Sequence, residues 1–211
     1  MVRPPHRLRL INTLCGTALN SCPMMPPQSD HPRRTEHASI QSTTKRRFEI
    51  IPLADCPDEI PRLAAWVFSE WNAIEAIPVE KIAAGFTNNL NHETIPITFI
   101  ARIERQPVGC VSIDLTDLPN SDHIGPWLAS LYVAPDFRRS GIGAALLRHA
   151  QAFSWNLGIH PLLLWTTRNT DFFKREGWIE TGQIELAGSI ATLMRQGTCD
   201  PPIPPSNCMS S

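Results

Sequence analysis

The residues best suited to chemistry lie in one short stretch, Val133-Ala134-Pro135-Asp136-Phe137-Arg138-Arg139-Ser140-Gly141-Ile142-Gly143-Ala144-Ala145-Leu146-Leu147. An apolar, strand-like run enters a turn with two arginines and two glycines, and a helical pattern leaves it at once. The first N–H groups of a helix lack intrahelical acceptors, and the helix dipole adds about half a positive charge there. Glycine removes the side chains that would hold an anion away from those N–H groups. Arg138 and Arg139 add full charge in a geometry that matches phosphate. The stretch reads as a cradle for a pyrophosphate. It is not a P-loop, because the spacing G-x-x-x-x-G-K-[ST] and its lysine are absent. Nor is it a dinucleotide fingerprint, since only G-x-G occurs and it follows the fourth strand-like segment rather than the first.

The elements that must hold this loop can be read from the hydrophobic pattern. Phe48-Glu49-Ile50-Ile51-Pro52 alternates and stops at proline, as a short strand does. From Asp58 onward, Ile60, Leu63, Ala64, Val67 and Trp71 recur at helical spacing. A second helix is expected to start near Pro78 and run toward Leu90. Residues 97–103 and 108–115 read as a hairpin across Arg105-Gln106-Pro107. Residues 127–133 form a fourth strand, in which Trp127 reads as a core anchor. A helix then places Ile142, Leu146, His149/Ala150, Phe153 and Leu157 on one stripe, and Gly158 is positioned as its left-handed cap. Pro161–Thr167 is a continuous apolar strand, consistent with burial on both faces. Asn169 or Thr170 can cap a short helix that Gly177 stops. Residues 178–186 and 190–195 close the domain as a hairpin across Ala187-Gly188. The order β-α-α-β-β-β-α-β-α-β-β specifies an α/β domain: a mixed sheet with helices on both faces.

The pattern V-x-P-x-x-R-x-x-G-I-G-x-x-L-L of residues 133–147 closely resembles motif A of the GNAT superfamily, the acyl-CoA-dependent N-acyltransferases. The stretch Leu163-Leu164-Trp165-Thr166-Thr167 through Phe172-Phe173-Lys174-Arg175-Glu176-Gly177-Trp178 is similar to that superfamily's fifth strand and fourth helix. The element order matches, and Thr192-Leu193-Met194-Arg195 resembles the closing strand. The resemblance spans roughly residues 48–196. It implies a GNAT-type, mostly antiparallel twisted sheet of six to seven strands with about four helices on both faces. It also implies acetyl-CoA as cosubstrate, with no metal, and transfer of an acetyl group to a primary amine by direct attack. In such a site Leu131, Tyr132 and Val133 would pair with the pantetheine arm. The amides from Arg138 through Arg139, Ser140, Gly141, Ile142, Gly143 and Ala144 would hold the pyrophosphate, and Phe173 would pack near the thioester.

This chemistry needs a base for an ammonium of pKa ~10, a donor for the developing oxyanion and a route for the thiolate. Here the chain departs from the family pattern. Many members carry a glutamate where this chain has Ser130, and a tyrosine acid where it has Phe173. Tyr132, the sole tyrosine, falls in the strand instead. A water-relayed base at Ser130 or Asp114 is the expectation, Asp114 first because its strand neighbours the fourth, with Glu70 of the first helix as a further carboxylate. Asp114 also reads as a surface carboxylate near a strand end. A non-catalytic acyl-CoA-binding module is the alternative to the enzyme. Trp66 reads as core, and Trp71 as core or the edge of the substrate mouth. His92, His123, His149 and His160 are scattered and read as solvated or cap-proximal.

Of the 211 residues, 42 % are apolar and 18 % charged, enough for one domain with tails. The first 47 residues hold eight Lys/Arg against two Asp/Glu, which leaves a net −7 beyond them. The chain thus divides into a basic, Pro-rich leader (1–47), an acyltransferase domain (48–197) and a Pro-rich tail (198–211). The leader shares features with transit peptides and carries a faint lipoprotein-like Leu19-Asn20-Ser21-Cys22. The favoured reading is an unstructured extension, or an over-long start before Met24 or Met25. The net −7 favours a cationic small-molecule or peptide amine as acceptor. Neither nucleic acid nor membrane is an expected partner. No run of ~18 apolar residues exists. The six cysteines are scattered, consistent with reduced thiols and a cytoplasmic setting. Monomer and homodimer remain equally open.

Overall fold

The computed structural model describes residues 47–118 and 125–197. The expectations for the leader before Arg47, for the tail and for His123 lie outside these residues. Eleven main elements follow in chain order: β1 (Glu49–Pro52), α1 (Ile60–Glu75), α2 (Val79–Asn88), β2 (Ile97–Ile103), β3 (Gln106–Asp114), β4 (Trp127–Val133), α3 (Ile142–Asn156), β5 (Leu163–Thr166), α4 (Thr170–Arg175), β6 (Trp178–Leu186) and β7 (Ser189–Gln196). The strands form one seven-stranded sheet in the order β1-β2-β3-β4-β5-β7-β6. Every adjacent pair is antiparallel except β4–β5.

Strand alternation divides the interior into two cores. Ile97, Phe99 and Ala101 of β2 face one side, where they join Ile142, Leu146, Leu147 and Ala150 of α3 and Phe173 of α4. Ile100 of β2, Cys110 and Tyr132 face the other, against Leu63, Ala64 and Val67 of α1 and Phe86 of α2. Helices cover both faces, so β2 and β3 are buried nearly end to end.

Some local details differ from the sequence reading. The β2–β3 turn is Glu104-Arg105, both at positive φ (48° and 70°), rather than Arg105–Pro107. Pro107 has no N–H for a ladder, and it sits in β3 beside a register shift between Ala101 and Arg102. β5 is shorter than expected, and only Leu164 is buried; its other residues are half-exposed because one side of the strand borders a cleft. Asn169 stands at the N-cap of α4 but makes no side-chain cap bond. Its left-handed φ of 69° departs from the extended backbone a capping side chain requires. The Ala187-Gly188 turn (φ 47° and 78°) and the left-handed Gly158 (φ 70°) stand where the sequence placed them.

Two irregularities shape the cleft. β4 contains a bulge opposite β3: Cys110 pairs with Tyr132 while Ser112 pairs with Ala129. Ser130 in the bulge adopts φ 53°, a left-handed conformation that non-glycine residues visit at a cost of ~1–2 kcal/mol. The strands β4 and β5, meanwhile, meet only at Trp127–Leu163, with Leu163 N–H donating to the Pro126 carbonyl at 2.9 Å. Beyond that point they separate, leaving the β5-facing edge of residues 128–133 without a strand partner among the described residues.

Candidate active site

The gap between β4 and β5 opens into a cleft of about 540 Å³, within the size range of small-molecule sites. Residues 128–133 of β4 line one wall, and residues 164–169 with Phe172 and Phe173 line the other. Arg138, Arg139, Gly141, Gly143 and Ala144 close one end. α1 adds Val67, Glu70, Trp71 and Glu75, and the connection after β3 adds Asp117.

The loop before α3 has the features of an anion site. Arg139 (φ 60°) and Gly141 (φ 88°) are left-handed, a backbone alternation that turns successive amides toward a common concavity. The first helical bond runs from Ala145 N–H to Gly141 C=O at 3.0 Å. The amides of Ile142, Gly143 and Ala144 therefore have no intrahelical acceptor. A Cβ on Gly141 would meet nothing within 4 Å, and one on Gly143 would only touch Val133 and Phe172. These glycines leave space that the described residues do not fill. At Gly109 the opposite holds: a Cβ would come within 2.6 Å of the Tyr132 carbonyl oxygen. Glycine there lets β3 approach the bulged strand.

Most of the expected site residues meet in this cleft: Ser130, Leu131, Tyr132, Val133, Arg138, Arg139, Gly141, Gly143, Ala144 and Phe173 all line it. Two contribute only backbone to the loop. The Ser140 hydroxyl donates to the Phe137 carbonyl, and Ile142 is buried in the core. Tyr132 is stacked on Trp66 with ring centroids 5.1 Å apart and meets Trp71 edge-on. Phe173 packs edge-on against Phe172 and Trp178.

Asp114 is not in the wall. It is half-buried rather than on the surface, and its carboxylate accepts a bond from Asn89 Nδ2 at 2.7 Å. Asn89 also donates to Thr98, whose hydroxyl meets that of Ser112. A strand-end carboxylate is thereby tied to the C-terminus of α2 instead of reaching the cleft. Burial pushes its pKa up to about 6, partly offset by the Asn89 bond.

The carboxylates that do line the acidic end are Glu70, Glu75 and Asp117. Burial raises Glu75 above the usual carboxylate range. Asp117 is raised well above it, first by burial and then by the charges of Asp114 and Glu75, against a bond from Trp165. The Trp165 indole N–H also donates to the Asp117 backbone carbonyl at 3.2 Å. Sequence reasoning missed Glu75 and Asp117 because nothing in their local context marks them; they meet only through folding. None of the described histidines lines the cleft. His92 pairs with Asp55 at 2.8 Å, His149 packs on Phe99, and His160 stacks on Trp155. Among the described residues, no group of three or more His, Cys, Asp or Glu is placed to hold a metal. No described helix is long and apolar enough to cross a membrane.

Residues 95–180 match the family model of the acetyltransferase (GNAT) domain. Among curated proteins, none matches the chain significantly. Solved structures share its fold at low identity. An acetyltransferase of the GNAT family from Streptococcus pneumoniae is 18 % identical with a TM-score of 0.53, over 71 % of this chain and 98 % of its own. An aminoglycoside 6'-N-acetyltransferase complexed with coenzyme A is 16 % identical with a TM-score of 0.56, over 70 % and 96 %. A NatC complex bound to Gag peptide and CoA is 15 % identical with a TM-score of 0.57, over 72 % and 99 %.

Proposed function

We propose that this chain, whose residues 95–180 match the acetyltransferase (GNAT) domain model, transfers an acetyl group from acetyl-CoA to a primary amine of a small cationic molecule or a peptide. The observation that carries this reading is the open β4 edge beside the Gly141 cradle. A peptide-like arm pairs with such an edge as an added strand, and the amides of residues 142–144 suit a diphosphate. Leu131, Tyr132 and Val133 would take the pantetheine arm, Arg138 and Arg139 would neutralise the diphosphate, and Phe173 would pack against the acyl end. Coenzyme A-bound neighbours of the same fold support this fit.

Acetyl-CoA supplies an activated carbonyl, and its leaving thiolate is a far weaker base than an alkoxide or amide anion, so it can depart without a dedicated acid. This accommodates phenylalanine at position 173. The proton on the acceptor is a different matter, since an ammonium does not attack. Asp117 and Glu75 line the cleft, and burial raises both above the usual carboxylate range. A carboxylate with a raised pKa is a better proton acceptor than an ordinary one. Asp114, held by Asn89, stands behind them as a charge that keeps Asp117 basic. The Ser130 hydroxyl, on the cleft wall, can relay through water. The net charge of −7 outside the leader attracts cationic acceptors.

A non-catalytic acyl-CoA-binding module is the second reading, favoured by the missing hydroxyl at Phe173. Thiol release from acetyl-CoA over a panel of diamines, aminoglycosides and peptides, run beside calorimetry with CoA, separates the two. Turnover on any amine supports the enzyme. Tight binding with no turnover supports the module, and no binding at all ends both.

A further inference from the structure

Arg138 does not extend freely from the cradle loop. Its Nε donates to the Val133 carbonyl at 2.8 Å, and its guanidinium carbon lies 5.4 Å from the Tyr132 ring centroid. Nη2 pairs with Glu70 of α1 at 3.2 Å. From the opposite wall, Nη2 of Arg168 reaches the other oxygen of Glu70 at 3.5 Å. One carboxylate thus links α1 to both sides of the cleft, and Arg138 lies along the β4 segment assigned above to the pantetheine arm.

We propose that Arg138 is a latch that coenzyme displaces, and that its release uncovers Glu70 as the carboxylate that binds the acceptor ammonium. This inference rests on the coenzyme reading above. The latch is weak by construction, because exposed ion pairs contribute little: the side chains of Arg138 and Glu70 are 48 % and 30 % exposed. A diphosphate offers Arg138 more charge and a better-matched oxygen geometry than one carboxylate does. Once Arg138 turns to it, the Val133 carbonyl is free for the arm. Glu70 then keeps only the longer contact from Arg168, which is 68 % exposed. The carboxylate now stands beside Trp71 in the cleft, without its nearer cation and suited to an alkylammonium. Coenzyme and amine therefore favour each other's binding, and the coupling is reciprocal.

The sign of one measurement separates this latch from a merely structural role. In calorimetric titrations of the full chain with CoA, Glu70→Gln is expected to tighten binding about two- to fivefold, because the competitor for Arg138 is gone. If Glu70 instead holds Arg138 ready for the coenzyme, the same change weakens CoA. Weakened or unchanged binding overturns the latch. The second arm uses 1,4-diaminobutane as probe. The wild-type chain is expected to bind it at least tenfold more tightly with saturating CoA than without, and Glu70→Gln is expected to abolish that gain. Equal binding with and without CoA, or a gain that survives Glu70→Gln, overturns the role of Glu70 toward the amine. Should wild-type protein not bind CoA at all, the underlying coenzyme reading fails instead, and that outcome is visible in the first titration.

Discussion

The two ends of the cleft are made of different material. At the cradle end the groups that matter are backbone: amides of residues 142–144, a left-handed Gly141, and room where Cβ atoms would stand. At the acidic end they are side chains gathered from distant places, Glu75 from α1 and Asp117 from the connection after β3, while Glu70 of α1 pairs with Arg138 of the cradle loop at 3.2 Å. Backbone donors keep their charge distribution at any pH and move little. Carboxylates titrate, repel one another and can be exchanged singly. A site of this build holds its coenzyme by a fixed framework and leaves acceptor choice and proton transfer to replaceable groups.

The largest effect is expected at the acidic end. Asp117→Asn removes the carboxylate that burial raises well above its ordinary range while keeping its shape. With any acceptor found, kcat should fall by ~10²-fold, the usual contribution of a positioned base, while the Kd for CoA stays within about twofold. Activity of the native chain should rise with pH as the acidic cluster gives up its proton, and this limb should flatten in the variant. A matching loss of CoA affinity would show that the two ends are not separate.

Gly141→Val tests the other end. Its φ of 88° is unfavourable for a β-branched residue, and the added bulk enters the space where an anion belongs. CoA binding should weaken ~30-fold, equivalent to about 2 kcal/mol. A Cβ there meets no described atom within 4 Å, so the cost is local backbone strain of ~1–2 kcal/mol and the circular dichroism spectrum should keep the native shape. Binding that survives this change would remove the cradle.

The same division explains what could be read from sequence. Glycines, prolines and strand periodicity act through local backbone, so the Arg138–Ala144 loop, all seven strands and the Ala187-Gly188 turn could be placed from residue type alone. Asp117 acquires its character from Asp114 and Glu75, which no short window contains. The departure of β5 from β4 is likewise set by packing, and Leu163–Thr166 looks like any buried strand. Asp114 misled for a related reason: its place next to β4 was right, but the Asn89 amide that holds it comes from the far end of α2. Gly109 attracted no notice because its role is the 2.6 Å approach to the Tyr132 carbonyl, a contact between strands.

Asp114→Asn sharpens the contrast through stability. The folded state holds the Asp114 proton up to about pH 6, against an ordinary value of 3.8. Folding is therefore helped most below pH ~4, and that help is lost as the pH rises through 6. At pH 8 the buried charge costs about 3 kcal/mol for a shift of that size. An amide in its place can still accept from Asn89 and carries no such cost. The variant should gain unfolding free energy at pH 8 and little at pH 4, measured by urea denaturation at both. Removing this charge also lowers the pKa of Asp117, so the acid limb of activity should move to lower pH. An equal change at both pH values would mean that folding does not raise the pKa of Asp114.

The smallest effect is expected where the two ends meet. Phe173 lines the cleft yet is only 8 % exposed, wedged edge-on between Phe172 and Trp178. Phe173→Tyr adds a hydroxyl in the region assigned to the thioester without enlarging the ring. If departure of the thiolate limits turnover, a nearby phenol should raise kcat about two- to fivefold, well below the 10² of a fully positioned acid. The gain should be greatest at low pH and shrink as the pH rises toward the pKa of the coenzyme's thiol, above which the thiolate leaves unaided. The CoA affinity should not move, since the cradle and the β4 edge are untouched. A kcat indifferent to the hydroxyl across the pH range would place the slow step at the acceptor's proton. The acidic carboxylates would then govern the rate by themselves, and the backbone end would serve binding alone.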